Sequence, residues 1–180
     1  SGVTTINPGA TVTVGDGLGG GTLPGNLIDN GQVVFDNPAV TAISQIVSGT
    51  GSIVYKGGAK YTVTGANTYT GGTQVFAGNS VVLTSGSSAG VGGLLQVADG
   101  ATLFLNPTAA SMKLSNPLEI AGGGTDGVLG ALQNLKGSNT LTGAVALTGP
   151  ATRVNPGSST LAFTGVISQS GVAGAAFNLV

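Results

Sequence analysis

Six carboxylates are the main candidates for acid–base chemistry in this chain, which contains no His and no Cys. They are Asp16, Asp29, Asp36, Asp99, Glu119 and Asp126. Enzymes that cleave polysaccharides bring two or three carboxylates together in one groove, often beside a Lys or an Arg. Here the acids are dispersed, and the five cations show no close pairing with them along the sequence. We therefore expect no enzyme activity and no catalytic residues, and we expect Asp29 and Asp36 to be solvated acids in turns.

Other kinds of site are excluded by residue types or by context. Without Cys or His, the chain has no thiolate or imidazole metal ligand and no Ser-His or Cys-His pair. Residues 15–20 (GDGLGG) match a dinucleotide-binding pattern, but the Gly and Pro that follow prevent the helix such a site needs. Residues 122–129 form one imperfect copy of a calcium-binding nonapeptide, whereas such sites need tandem copies. We expect no metal and no cofactor.

Composition indicates a thin, aliphatic core. Gly supplies 34 of the 180 residues, whereas charged residues make up 6%, far below the roughly 25% of an ordinary domain. The apolar fraction is 41%, so the chain has enough Val, Leu and Ile to fold. Five Phe and three Tyr are too few to fill a thick globular core. A formal net charge of −1 also argues against nucleic-acid binding, which depends on clustered Lys and Arg.

Short runs of alternating apolar and polar residues, each ended by Gly or Asn, predict an all-β chain. Predicted strands cover residues 11–14, 32–35, 52–55, 61–64, 73–76, 80–83, 94–97, 102–105, 118–120, 140–141, 144–147 and 160–163. The best helical pattern lies at 127–136, but Gly127 and Gly130 weaken it, and a further strand or loop is the preferred interpretation there. No apolar stretch is long enough to span a bilayer.

Internal repetition favours a solenoid over a sandwich or a barrel. Residues 46–52 (IVSGTGS) are similar to 166–173, and residues 9–14 are similar to 100–105. Stacked coils enclose a thin core that small aliphatic residues can fill, and each coil needs its neighbours to bury its apolar face. With about 20 to 25 residues per coil, we expect about seven to nine coils.

Residues 46–83 read IVSGTGSIVYKGGAKYTVTGANTYTGGTQVFAGNSVVL. This stretch closely resembles the passenger-associated, or autotransporter-associated, β-strand repeat of Gram-negative surface proteins, whose centre reads LTLTGANTYTGGT. Ala59-Lys60-Tyr61 and Asn79-Ser80 depart from the family's usual Gly-Thr-Leu and Thr-Leu. Residues 25–35 and 139–153 match sequences that often flank the repeat more loosely.

The resemblance implies a right-handed parallel β-helix displayed at the cell surface or released from it. We expect residues 1–180 to be one β-solenoid segment of a larger surface protein, outside the cell or on the outer membrane of a Gram-negative bacterium. No signal peptide or membrane anchor is recognisable in the chain, and both ends look like cuts.

Eight residues of the repeat are expected to have structural roles: Gly49, Gly51, Gly65, Asn67, Tyr69, Gly71, Gly72 and Gly78. Gly65, Gly71, Gly72 and Gly78 should lie at corners with positive φ. Asn67 should bond to its own backbone and stack on equivalent Asn residues, while Tyr69 should lie half-buried at an edge with its hydroxyl in water.

Two functions remain open from the sequence, and the first is preferred because the repeat family is found mostly in passenger segments. The first is a non-catalytic stalk or adhesive passenger, a rigid rod that contacts host or neighbouring cells weakly through its loops. The second is a self-assembling extracellular fibre subunit that stacks end to end through exposed strand edges. The expected partners are other copies of the chain or cell-surface glycans, with no nucleic acid and no membrane insertion by this segment. The absence of Cys agrees with export of an uncrosslinked chain through an outer-membrane pore.

Overall fold

The chain folds into short parallel strands in the computed structural model, which describes residues 2–149, 151–169 and 178–179. No helix occurs among these residues. The strands are β1 (Thr4–Ile6), β2 (Thr11–Val14), β3 (Leu27–Asp29), β4 (Gln32–Asp36), β5 (Thr41–Ile43), β6 (Val47–Ser48), β7 (Ser52–Lys56), β8 (Lys60–Val63), β9 (Thr73–Val75), β10 (Ser80–Leu83), β11 (Leu95–Val97), β12 (Thr102–Leu105), β13 (Lys113–Leu114), β14 (Leu118–Ile120), β15 (Leu132–Asn134), β16 (Asn139–Leu141), β17 (Val145–Leu147), β18 (Arg153–Asn155), β19 (Leu161–Phe163), β20 (Ile167–Gln169) and β21 (Asn178–Leu179).

Over the described residues, the strands stack into a β-solenoid of eight coils. An eight-stranded sheet runs β2-β4-β7-β9-β11-β14-β17-β20, and we call it the long face; each coil contributes one strand to it. A seven-stranded sheet runs β5-β8-β10-β12-β15-β18-β21. The third side carries two three-stranded sheets, β1-β3-β6 and β13-β16-β19. At about 4.8 Å per coil, the eight strands of the long face extend for about 34 Å.

Register along the long face shows that the coils differ in length. Thr11 pairs with Gln32, and Gln32 pairs with Ser52, so the first two coils are nearly equal. Leu118 pairs with Val145, and this coil is longer because it contains the extended connection between β14 and β15. The number of coils and the parallel stacking confirm the solenoid prediction.

The core is a narrow column of aliphatic side chains with one aromatic cluster. Val33, Ile53, Leu95 and Leu118 are at most 1% exposed. Phe35 and Tyr55 stack in consecutive coils with ring centroids 5.5 Å apart, and the ring of Tyr61 lies 4.9 Å from that of Tyr55. These three aromatic residues form one cluster inside the second and third coils, while aliphatic residues fill most of the remaining core, which also contains the buried ring of Tyr69.

All twelve predicted strands are present within a residue or two of their bounds. Several of the shortest strands, such as β3, β6 and β13, were not predicted. A strand of two or three residues is too short to show an alternating pattern. The weak helical pattern at 127–136 is a loop followed by β15, as the preferred interpretation had it. Across the described part of the chain, no helix could span a membrane.

Candidate functional site

The repeat motif forms an extended stretch on the third side of the solenoid. From Val63 to Tyr69 the side chains alternate between buried and exposed, which points Gly65, Asn67 and Tyr69 into the core. Backbone bonds from Thr68 N to Val47 O (2.9 Å) and from Val91 N to Tyr69 O (2.9 Å) join this stretch to the coils before and after it. The third side is therefore continuous through the motif, although no strand lies between β8 and β9.

Asn67 links three successive coils. Its side chain is fully buried; Oδ1 accepts a hydrogen bond from Val47 N (2.8 Å), and Nδ2 donates to Ser88 O (2.8 Å). The prediction that it would bond to its own backbone and stack on other Asn residues is wrong. An extended backbone points the amide inward, where the main chains of neighbouring coils are its nearest polar groups.

Tyr69 is also buried, contrary to the prediction of a half-exposed edge position with a hydrated hydroxyl. Its side chain is fully buried, and its hydroxyl shares a hydrogen bond with Thr73 Oγ1. Thr73 Oγ1 in turn donates to Ala89 O (3.1 Å). Burial raises the pKa of the Tyr69 phenol well above its ordinary value. The motif therefore supplies core structure rather than an aromatic contact surface.

The repeat glycines are required for two different reasons. Gly49, Gly72 and Gly78 have positive φ, which for Gly72 and Gly78 confirms the prediction. For Gly65 and Gly71 that prediction is wrong, since neither has a positive φ. Close backbone contact explains them: a Cβ on Gly65 would meet Gln45 O, and one on Gly71 would meet Gly51 O.

Asp29 is buried rather than solvated. Asp29 is fully inaccessible to solvent. Its Oδ1 accepts a hydrogen bond from Gly31 N (2.9 Å), and its Oδ2 has no hydrogen-bond partner among the described residues. A Cβ on Gly51, in the next coil, would fall on this carboxyl group. Desolvation raises the pKa of Asp29 above its ordinary value, with a smaller opposing effect from the Gly31 amide. The prediction of a solvated turn acid is therefore wrong for Asp29.

Asp36 does pair with a cation, which the sequence spacing did not reveal. Lys56 Nζ lies 2.9 Å from Asp36 Oδ2, because β4 and β7 place these residues side by side. The two residues occupy the same position in consecutive coils, so they are far apart in the sequence. Asp29 and Asp36 belong to the same coil, so they do not stack on adjacent coils as a carboxylate pair.

A cleft lies on the outer surface of the long face. Its volume is about 220 Å³, and its lining residues are Gln74, Val75, Phe76, Gln96, Val97, Ala98, Glu119, Ala121 and Thr148. We call this site the long-face cleft. One wall is the row Gln74–Gln96–Glu119, which the register of β9, β11 and β14 places side by side.

The floor of the cleft follows from residue size. The same ladders place Phe76, Ala98, Ala121 and Thr148 side by side in a second row, and we call the part of the cleft beside the two small Ala residues, between the larger Phe76 and Thr148, its floor. Phe76 is 49% exposed. On the wall, Gln96 Nε2 donates to Glu119 Oε2 (3.2 Å). The site thus combines an aromatic ring, two amides and one carboxylate, and it has no cation in its lining.

From the sequence, Glu119 was expected only as one of the dispersed acids, and the other cleft residues were not predicted. A signal was present: Gln74, Gln96 and Glu119 recur at nearly equal intervals, each at the middle, outward position of its strand. The exact coil lengths were needed to use this signal, and those lengths vary along the chain.

Two further acids, Asp16 and Asp126, have partners in their own turns. Asp16 Oδ1 accepts from Leu18 N (3.0 Å) and from Gly19 N, and Asp126 Oδ1 accepts from Val128 N (2.9 Å) and Leu129 N (2.8 Å). These bonds lower the pKa of both carboxyls. Within the described ranges, no group of three or more Asp or Glu residues is arranged to hold a metal ion.

Comparisons with protein-family models, with curated proteins and with solved structures find no match to this chain.

Proposed function

We propose that this chain is a non-catalytic segment of a bacterial, autotransporter-like surface protein, where it acts as a rigid stalk or contact surface. The observation that carries the proposal is the continuous parallel stacking of eight coils around one buried core. Each coil is hydrogen-bonded to its neighbours, so bending the rod would require breaking several backbone ladders at once. A rod of this kind holds whatever it carries at a fixed distance from its anchor.

The surroundings of five of the six acids, all but Asp99, support a non-catalytic role. Asp16 and Asp126 bond to amides of their own turns, Asp36 pairs with Lys56, and Asp29 is sealed in the core. Glu119 contacts an amide, Gln96, in the long-face cleft. Glycosidase chemistry needs two carboxyls facing each other across a substrate, and each of these five has a different neighbour.

The location outside the cell rests on the resemblance of residues 46–83 and on the absence of Cys. A solenoid also suits export, because folding can begin in one coil and propagate to the next as the chain emerges. An antibody against the chain, applied to intact cells of the organism that makes it, tests this location. We expect the antibody to label intact cells, and we expect protease added outside the cells to remove this label. Labelling only after the cells are opened would refute the location outside the cell.

The rod itself is tested by light scattering after size exclusion, over a hundredfold range of protein concentration. The stalk proposal predicts one monomeric species, and small-angle X-ray scattering should show an elongated particle. Filaments that lengthen with concentration would instead identify a self-assembling fibre subunit. Turnover of a polysaccharide would contradict the non-catalytic role.

A further inference from the structure

We propose that the long-face cleft binds a short stretch of an uncharged polysaccharide, with the sugar chain lying along the solenoid axis. The inference rests on the proposed contact role of the segment and adds a site and a ligand class to it. Its basis is the chemistry that four coils bring together on one outer surface.

The shape of the cleft suits an extended polymer. Its lining residues lie on or beside β9, β11, β14 and β17, so the cleft crosses four coils, or about 14 Å. The rise of about 4.8 Å per coil is close to the length of one sugar residue in an extended chain. The two coils that carry Ala98 and Ala121 separate Phe76 from Thr148, and this span matches about two such residues.

The polar wall suits hydroxyl groups. Gln74 and Gln96 carry amides, which both donate and accept hydrogen bonds, and Glu119 carries a carboxylate, which accepts them. Sugar hydroxyls can satisfy all three. Gln96 Nε2 holds the Glu119 carboxylate (3.2 Å), which fixes one acceptor before any ligand arrives.

Phe76 provides the apolar surface that a sugar ring needs. Half of this side chain is exposed (49%), beside the small residue Ala98. The C–H face of a pyranose ring can pack flat against an aromatic ring in such a place. An aromatic ring at one end and amides along the side would therefore hold one sugar ring by stacking and the next by hydrogen bonds.

Charge and backbone geometry narrow the choice of ligand. The lining contains one carboxylate and no cation, which disfavours uronate and sulfated polymers. An extended peptide binds by adding a strand to a free sheet edge. The cleft lies on the face of the sheet, where the flanking strands pair on both sides, so its floor offers no such edge.

The test is an NMR titration of the whole chain with uncharged hexasaccharides of glucose and of N-acetylglucosamine, and with hexagalacturonate as the charged comparison. Saturable shifts at the side-chain amides of Gln74 and Gln96 are the expected result. Equal binding of hexagalacturonate, or no binding of any neutral sugar by a chain that is still a monomeric rod, would overturn the site while leaving the stalk proposal intact. Binding of an extended peptide alone at these amides would also overturn it.

Variants locate the binding. Phe76→Ala should weaken it about three- to tenfold, whereas Phe104→Ala, which removes a partly exposed ring from the seven-stranded sheet, should leave it unchanged. Ala98→Leu fills the floor without removing a polar group, and we expect it to abolish binding. If Ala98→Leu binds as well as the parent chain while its circular dichroism is unchanged, the cleft is not the site.

Discussion

Replacing Asn67 by Ala tests whether buried side chains that link the coils hold the solenoid together. The change removes two hydrogen bonds of 2.8 Å, one from Val47 N and one to Ser88 O. Val47 and Ser88 are both fully buried, so their freed N–H and C=O groups would lie away from water. Each unsatisfied buried group costs about 1 to 3 kcal/mol.

We therefore expect Asn67→Ala to lower the free energy of unfolding by about 3 kcal/mol, within a range of about 2 to 6 kcal/mol. For a chain of this length, each kcal/mol lowers Tm by about 2 to 4 °C, so Tm should fall by about 6 to 12 °C. Urea unfolding followed by far-ultraviolet circular dichroism measures the change. An unchanged m-value would show that the same cooperative unit unfolds in both proteins.

Asn26→Ala is the matched control. Asn26 Oδ1 also accepts a backbone hydrogen bond from the next coil, from Ile46 N (2.9 Å), but at an exposed position. Water can replace this bond, so the loss should be about 0.5 kcal/mol or less. If the two variants lose equal stability, the burial of the Asn67 amide is irrelevant and the reasoning fails.

Three further changes test other contacts. Burial raises the pKa of the Asp29 carboxyl in the folded state, so the native chain binds the carboxyl proton more tightly than the unfolded chain does. The free energy of unfolding should therefore fall as pH rises from the ordinary pKa to the raised one. Asp29→Asn should remove this pH dependence in a series of melting curves and raise Tm at pH 7. Gly51→Ala places a methyl group on the Asp29 carboxyl and should cost about 1 to 3 kcal/mol in urea unfolding, whereas Gly2→Ala, in open space, should cost less than about 0.5 kcal/mol. Lys56→Gln removes the 2.9 Å ion pair with Asp36. Because the Lys side chain is 45% exposed, the free energy of unfolding should fall by less than about 1 kcal/mol, and this difference should vanish at about 1 M salt. A larger or salt-independent difference would contradict a solvent-screened pair.

Seven of the eight strands of the long face, all but β20, could be predicted because their residues alternate clearly or are uniformly apolar, as could β8, β10 and β12 of the seven-stranded sheet. In Thr11–Val14 and Ser80–Leu83, the apolar side chains that enter the core are bounded by turn residues. The repetition of similar sequence segments then favoured stacked coils over a sandwich. Neither inference needed the structure, since the sequence itself displays both the alternation and the repeats.

The interior polar contacts could not be predicted in the same way. Asn67 and Tyr69 alternate with Thr68 in a motif rich in Gly and Thr, and such composition usually indicates an exposed corner. Their burial depends on where Val47 and Ser88 lie in the neighbouring coils. The Asp36–Lys56 pair and the long-face cleft were missed for the same reason: both exist only once the lengths of the coils are known.

Buried asparagines give this weakly charged chain a way to fix the register of its coils. A parallel ladder of small aliphatic residues tolerates a slip of two positions, because each apolar side chain would still point inward. Asn37, Asn79 and Asn139 are buried like Asn67, and their Oδ1 atoms accept hydrogen bonds from the main chain of a neighbouring coil, from Gly21 N (2.8 Å), Gly58 N (2.8 Å) and Met112 N (2.7 Å) respectively. A slip would leave these buried amides without hydrogen-bond partners, which would lower the free energy of unfolding. The aliphatic side chains alone would not impose this penalty. The amides thus discriminate between registers that the hydrophobic pattern alone leaves nearly equal, a role that polar residues also perform in coiled coils.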